Sequence, residues 1–248
     1  MKIAIITAMP EEFNAAAACL GAGSVLRLGR LKTRKSSCAG HEILLVESGM
    51  GFDNAARAAG TIIGEAAPEL LISAGFCGGV APELRVGDVV VARRMVIVSE
   101  TGVEELPVET PAAGLNLVIR QTAAGARVFG GTFAGTAVIT SKTRLAALLA
   151  NDYACPVAEM ESAAIALVAS ESRIPLLAIR SVSDPADEEL DFSLDEFCDS
   201  CLRIRPARVL LTILRKPRII PQLIRLAGNS RVAARSLTAA LEQLLPLL

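Results

Sequence analysis

Short apolar runs that end in glycines or acids and alternate with helical stretches constrain this chain more than any other feature of its sequence. Ile3–Thr7, Ile43–Val46, Leu70–Ser73, Asp88–Ala92, Ala137–Thr140 and Leu176–Ser183 have the length and apolar content of strands. Between them Asn54–Glu65, Pro111–Ala124, Lys142–Ala150 and Ser162–Ser172 read as helices. In the first of these Asp53 is expected as the N-cap, and Ala55, Ala56, Ala59, Ile62 and Ile63 fall on one face. The alternation predicts an α/β fold, a mostly parallel sheet covered by helices, with ligands beyond the carboxyl ends of the strands. At 248 residues there is room for one large domain plus an appendage, not for two full domains.

Composition removes several function classes. With 52% apolar and 21% charged residues the chain is not a disordered one, and one Tyr with no Trp leaves few platforms for stacking bases, which disfavours a nucleic-acid binder. The opening MKIAIITAMPEE lacks the flank and cleavage site of a signal peptide, and no run approaches the roughly 18 apolar residues of a membrane span. The expectation is a cytoplasmic protein. Cysteines 19, 38, 77, 155, 198 and 201 include one CxxC and no second pair, so ordinary thiols are expected and no metal site. The sole histidine, His41, precedes a strand-like run and reads as a strand-edge residue. Catalysis must then be sought in carboxylates.

Charge divides the chain. Residues 202–248 hold nine Arg or Lys and one Glu, against sixteen basic and twenty-five acidic residues in 1–201. The split predicts a domain over 1–201 and a basic helical tail over 202–248. In that tail Leu237, Leu241, Leu244, Leu245 and Leu248 share a helical face with Arg231 and Arg235 a turn or two earlier. Two readings stay open: an amphipathic segment lying on the anionic inner face of a membrane, or a helical hairpin packed on its own domain or an oligomer partner.

Four segments place glycines or acids where an α/β sheet builds its site: Ala8-Met9-Pro10-Glu11-Glu12, Ser48-Gly49-Met50-Gly51, Ala74-Gly75-Phe76-Cys77-Gly78-Gly79 and Arg180-Ser181-Val182-Ser183-Asp184. Singly, each reads as a turn, since GFCGG is not G-x-G-x-x-G and no Walker lysine follows it. A fifth, Val157-Ala158-Glu159-Met160-Glu161-Ser162, sets two acids before an Ala-rich helix. In an extended backbone Glu159 and Glu161 share a face; the plainer alternative is that Glu161 caps the helix.

Together, in order, the five segments resemble the purine nucleoside phosphorylase superfamily, and most closely its methylthioadenosine/adenosylhomocysteine nucleosidase branch, over Met1 to about Phe197. The resemblance implies a three-layer α/β/α fold, a homo-oligomer with a dimer as the first expectation, and no cofactor apart from phosphate if the nucleophile is phosphate. By position it makes Asp184 the acid that protonates purine N7, which calls for a carboxyl kept protonated by burial or a neighbouring acid. Glu161 would hold the ribose hydroxyls, and Glu12 with Arg180 would orient the attacking water. Met160 would lie along the ribose and Met50 would face the 5′ substituent. Val138 and Ile139 would line the purine pocket, with Met9, Gly78, Glu159 and Ser183 completing the substrate-binding set.

Phosphorylases of this resemblance hold phosphate with an arginine before the AGxxGG turn, a serine within it and a glycine-arginine pair after the first strand. Here Ser73, Phe76 and the acids Glu11 and Glu12 stand at those places, and an acid there repels a phosphate dianion. Hydrolysis is therefore expected, with phosphorolysis as the alternative and a non-catalytic nucleoside sensor as a third reading. Such a sensor should lack one of Glu12, Glu161 and Asp184, and all three are present. The branch carries serine at Phe76, an aromatic at Val138 and an aromatic where this chain reads Phe192-Ser193-Leu194-Asp195, so Phe192 or Phe76 is expected to replace the stacking ring. The tail is similar to that of hopanoid-associated members, which are expected to release adenine from adenosylhopane.

Overall fold

The computed structural model describes residues 1–107, 111, 126–136, 140–149, 152–188, 197 and 206–248. Among the described residues ten strands form one mixed sheet: β1 (Lys2–Thr7), β2 (Gly23–Leu28), β3 (Leu31–Cys38), β4 (His41–Glu47), β5 (Leu70–Gly79), β6 (Val89–Ser99), β7 (Gly102–Leu106), β8 (Val128–Thr136), β9 (Val157–Glu159) and β10 (Leu176–Asp184). Its order is β10-β6-β8-β9-β5-β1-β4-β3-β2, with β7 on β6 and a further pairing of β10 with β5. That last pairing closes β5, β10, β6, β8 and β9 into a ring of strands.

The parallel pairings join β1 to β4 and β5, β5 to β10, and β8 to β6 and β9. Antiparallel ones join β2 to β3, β3 to β4, β5 to β9, β6 to β7 and β6 to β10. The sheet is thus less parallel than alternation alone suggests, because β2, β3, β7 and β9 come from segments whose apolar residues are too sparse or too short a run to read as strands, and because β6 runs against β10. Near Ala137–Thr140 the strand is Val128–Thr136, and 137–139 lie outside the described residues, as does nearly all of Pro111–Ala124.

Helices α1 (Pro10–Ala18), α2 (Phe52–Ala66), α3 (Lys142–Leu149), α4 (Ser162–Glu171), α5 (Pro206–Arg215) and α6 (Ile220–Leu244) cover the sheet. Strand β5 shows why helices lie on both faces. Its Leu71 and Cys77 enter a core with α2 and α4, while Leu70, Ile72, Ala74 and Phe76 enter a second core with α1 and α6. Helix α2 is capped by Gly51 at φ 91°, and Asp53 sits inside its first turn instead of at the N-cap. Glycine is needed there because the left-handed region penalises a Cβ.

The division at residue 201 is not a division of the core. Ala233, Leu237, Ala240, Leu241, Leu244 and Leu245 are buried against α1, β5 and β10, and Thr238 Oγ1 donates to Ala15 O at 2.8 Å. The apolar face of the basic tail is therefore spent on the domain, by the same burial that drives any core. Among the described residues no helix is long and apolar enough to cross a membrane.

Candidate functional site

Arg180 organises the polar centre. Strand β10 carries it between Gly75 of β5 and Val90 of β6, and its side chain is 2% exposed. Nη2 donates to Ser73 Oγ at 3.1 Å and to Glu159 Oε2 at 3.0 Å, and Glu161 Oε2 lies 3.7 Å away. A buried cation is tolerated only when it is paired in this way. Nε and Nη1 of Arg180 and Oε1 of Glu159 have no hydrogen-bond partner within the described chain, so donors and an acceptor remain in the centre for a small polar molecule.

Glu12 reaches this centre from the first turn of α1. Its Oε2 accepts from Ala8 N at 2.8 Å and Met9 N at 3.0 Å, and its Oε1 accepts from Phe76 N at 2.7 Å. Burial pushes its carboxyl above the ordinary range against the opposing pull of Arg180. A Cβ on Gly75 would stand 2.5 Å from Glu12 Oε1 and 3.1 Å from Arg180 Nη1. The glycine is what lets the acid of α1 and the cation of β10 meet over β5.

The two acids of EMES divide their work differently from either reading of the sequence. The backbone bends at Glu161 (φ −122°, ψ −40°), so the pair does not share a strand face; both acids instead converge on Arg180. Glu161 stands at the N-cap position but its side chain makes no cap bond; the carboxylate of Glu159 accepts instead from Glu161 N at 3.0 Å and Ser162 N at 2.6 Å. Glu161 turns away from that role and accepts from Gly51 N at 2.8 Å, across 110 residues. Burial first, and Glu159 second, push its carboxyl up to about 7.

Asp184 ends β10 after a bulge at Ser183, where the register slips from Val182↔Cys77 to Asp184↔Gly78. The slip re-aims the carboxylate over Gly78, where a Cβ would meet Oδ2 at 3.0 Å. Ser183 Oγ donates to Asp184 Oδ1 at 2.7 Å. The neighbour of Oδ2 is the ammonium of Lys142, which also donates to Asp184 O at 3.3 Å and Pro185 O at 2.6 Å. The charged neighbour of this carboxylate is thus a cation and not a second acid. Lys142 and Ser162 join the site without a signal in the sequence; a lysine opening a helix has no telling spacing, and only the fold brings α3 to the end of β10.

Glu12, Glu159, Glu161 and Arg180 are brought together. Met9, Met50 and Met160 are part-buried near them in sequence, and Met50 O accepts from Asn54 Nδ2 at 2.8 Å. Phe76 is 8% exposed and packs in the core shared with α1 and α6. Val138, Ile139 and Phe192 lie outside the described residues. His41 opens β4 opposite Cys38, as a strand-edge residue. Among the described residues no group of three His, Cys, Asp or Glu is arranged to hold a metal ion.

Residues 2–215 match the Phosphorylase superfamily. The chain belongs to that superfamily. A 5′-methylthioadenosine/S-adenosylhomocysteine nucleosidase of Bacillus cereus is 32% identical over 216 residues, covering 80% of this chain and 92% of the relative. In fold, the superfamily member described here is similar to the nucleosidase of the same name from Neisseria meningitidis, solved with methylthio-immucillin-A (TM-score 0.74, 22% identity, 100% of this chain and 99% of that one). It is also similar to the futalosine hydrolase of Helicobacter pylori (TM-score 0.74, 19% identity, 100% and 98%).

Proposed function

We propose that this chain hydrolyses the N-glycosidic bond of a 5′-substituted adenosine and releases adenine. The observation that carries the reading is the Arg180 centre: one buried cation already faced by Glu159 and Glu161, with Glu12 across Gly75. A phosphate dianion entering there meets carboxylates on several sides, whereas a neutral water meets unpartnered donors and an acceptor. The names of the relatives, nucleosidases and a futalosine hydrolase, support hydrolysis.

In this mechanism the water oxygen bonds to the anomeric carbon as that carbon's bond to the base breaks. The electron pair of the broken bond leaves with the purine, whose N7 takes a proton from Asp184. Glu12, held by three backbone N–H groups, and Arg180 orient the water, and Glu12 takes its proton. Glu161 accepts the ribose hydroxyls and opposes the positive charge that develops on the sugar. Lys142 must yield Oδ2 of Asp184 as N7 arrives. Met160 lies along the ribose and Met50 faces the 5′ substituent.

The finer reading is that the 5′ substituent is a hopanoid, that the enzyme works as a dimer, and that it meets its substrate at the cytoplasmic membrane face. Purified protein incubated with methylthioadenosine, adenosylhomocysteine, inosine and adenosylhopane, with and without phosphate, tests the chemistry by product mass. Adenine and a free 5′-substituted ribose, at a rate indifferent to phosphate, are expected. A ribose phosphate ester overturns hydrolysis, and binding without any product overturns the enzyme.

A further inference from the structure

We infer that Lys142 is a positioning residue for the acid step: its ammonium, tethered to the backbone beside Asp184, stabilises the carboxylate that Asp184 becomes as its proton passes to the base, a role that rests on the reading of Asp184 as the acid. Two features set this ammonium apart from an ordinary tie between elements. Lys142 is the first residue of α3, at the positive end of the helix dipole, and no acid stands in the first turn of that helix to offset it. Its side chain is 13% exposed, so the charge is largely withdrawn from water. Both costs fall on the charge itself, and an uncharged residue would avoid them. What the charge meets is Asp184 and the carbonyl that follows. Asp184 Oδ2 pairs with Nζ, Asp184 O accepts from it at 3.3 Å and Pro185 O at 2.6 Å. An ammonium has three donors, one for each of these acceptors. Gly78 leaves room for the arrangement, since a Cβ there would stand 3.0 Å from Asp184 Oδ2 and 3.2 Å from Lys142 Cε.

The division of those donors decides the chemistry. Two go to backbone oxygens, which take no part in proton transfer and hold Nζ where it is. The third goes to an oxygen whose charge changes during the reaction. When Oδ2 carries the proton for N7 this third contact opens, and when the proton has left it closes again on a full carboxylate. Ser183 Oγ, donating to Oδ1 at 2.7 Å, serves the same state from the other side. The ion pair in the structure is therefore the arrangement reached after proton transfer, and donors set in advance toward a developing negative charge lower the barrier that leads to it. N7 of a purine nucleoside is a weak base, to which an acid gives its proton more readily when the carboxylate left behind is stabilised. Asp184 takes a proton from solvent as the base binds. N7 takes that proton as the N-glycosidic bond breaks and its electron pair leaves with the purine, and Lys142 keeps its own protons throughout.

K142M, K142Q and K142R, each alone and combined with Asp184→Asn, test this on two substrates. Methylthioadenosine has a base that needs a proton to leave, whereas 4-nitrophenyl 5-methylthioriboside releases a nitrophenolate that needs none. K142M and K142Q should lower kcat for methylthioadenosine on the order of 10²-fold, the cost of losing one donor to a developing oxyanion, with KM little changed. Turnover of the nitrophenyl riboside should fall far less. K142R keeps a charge and donors at the same place and should recover most of the loss. In the Asp184→Asn background no carboxylate forms, so the same substitutions should cost little more. Equal losses on both substrates, or a further full loss on top of Asp184→Asn, mean that Lys142 only ties α3 to β10 and overturn the inference. Undiminished methylthioadenosine turnover in K142M and K142Q overturns it too, as does K142R being as slow as K142Q. Where K142M fails to fold, K142Q and K142R decide; where the parent leaves the nitrophenyl riboside intact, the Asp184→Asn comparison decides. A parent that releases no base sinks the hydrolytic reading itself, whereas base release by the parent with any of these overturning results sinks the role of Lys142 alone.

Discussion

Asp184 and Glu161 are both carboxylates, yet their surroundings differ, as the two duties proposed for them require. Asp184 stands over Gly78 with Ser183 on one oxygen and Lys142 on the other, so the side chain is aimed by three neighbours before any base arrives. Asp184→Asn keeps this shape and removes the proton; base release, followed by adenine formation, should fall ~10²–10⁴-fold, and a loss below tenfold would remove Asp184 from the acid role. In the proposed mechanism Glu161 must be ionised to oppose charge on the sugar, and burial holds its carboxyl up to about 7. Turnover should therefore rise with pH through about 7 and lose that limb, with most of the rate, in Glu161→Gln. The sign for stability is opposite. A carboxyl whose folded value is raised costs stability once pH passes its unfolded value, and the full cost is present above about 7. Melting temperature should fall less with rising pH in Glu161→Gln than in the parent. Melting curves and kcat/KM profiles over the same pH series check both halves, and a pH-independent parent rate would refute the assignment.

At the scale of elements, the site is made by ends and interruptions of strands. The bulge at Ser183 aims Asp184, the bend after β9 sends Glu161 to Gly51, and the glycine of β5 admits Glu12 from α1. Sequence order exposes the glycines and acids of these segments but not that AGFCGG continues a strand, because glycines read as a turn until neighbours on both sides hydrogen-bond them. Helix α6 shows the converse. Its leucine spacing is plain in the sequence, and what it faces is not. With Leu241 fully buried beside α1 and the sheet, Leu241→Ala should destabilise the fold by ~2–5 kcal/mol in denaturant unfolding. A cost near zero would mean that α6 is an appendage after all.

Across the whole molecule, the sequence by itself determined the α/β class, the run of strands through β1, β4, β5 and β10, the superfamily, and the acids Glu12, Glu161 and Asp184 as candidates. These were legible because apolar period, strand length and motif order are local properties that need no partner to be seen. Tertiary structure alone decided that the strands close through β10 on β5, that Lys142 sits on Asp184, that Phe76 packs in the core, and that buried residues within 233–245 share that core with the sheet. Each of these is a contact between segments far apart in the chain. A composition shift at residue 201 marks a change of surface charge, whereas a domain boundary requires a break in shared burial, and α6 shares its burial with the strands that carry the site.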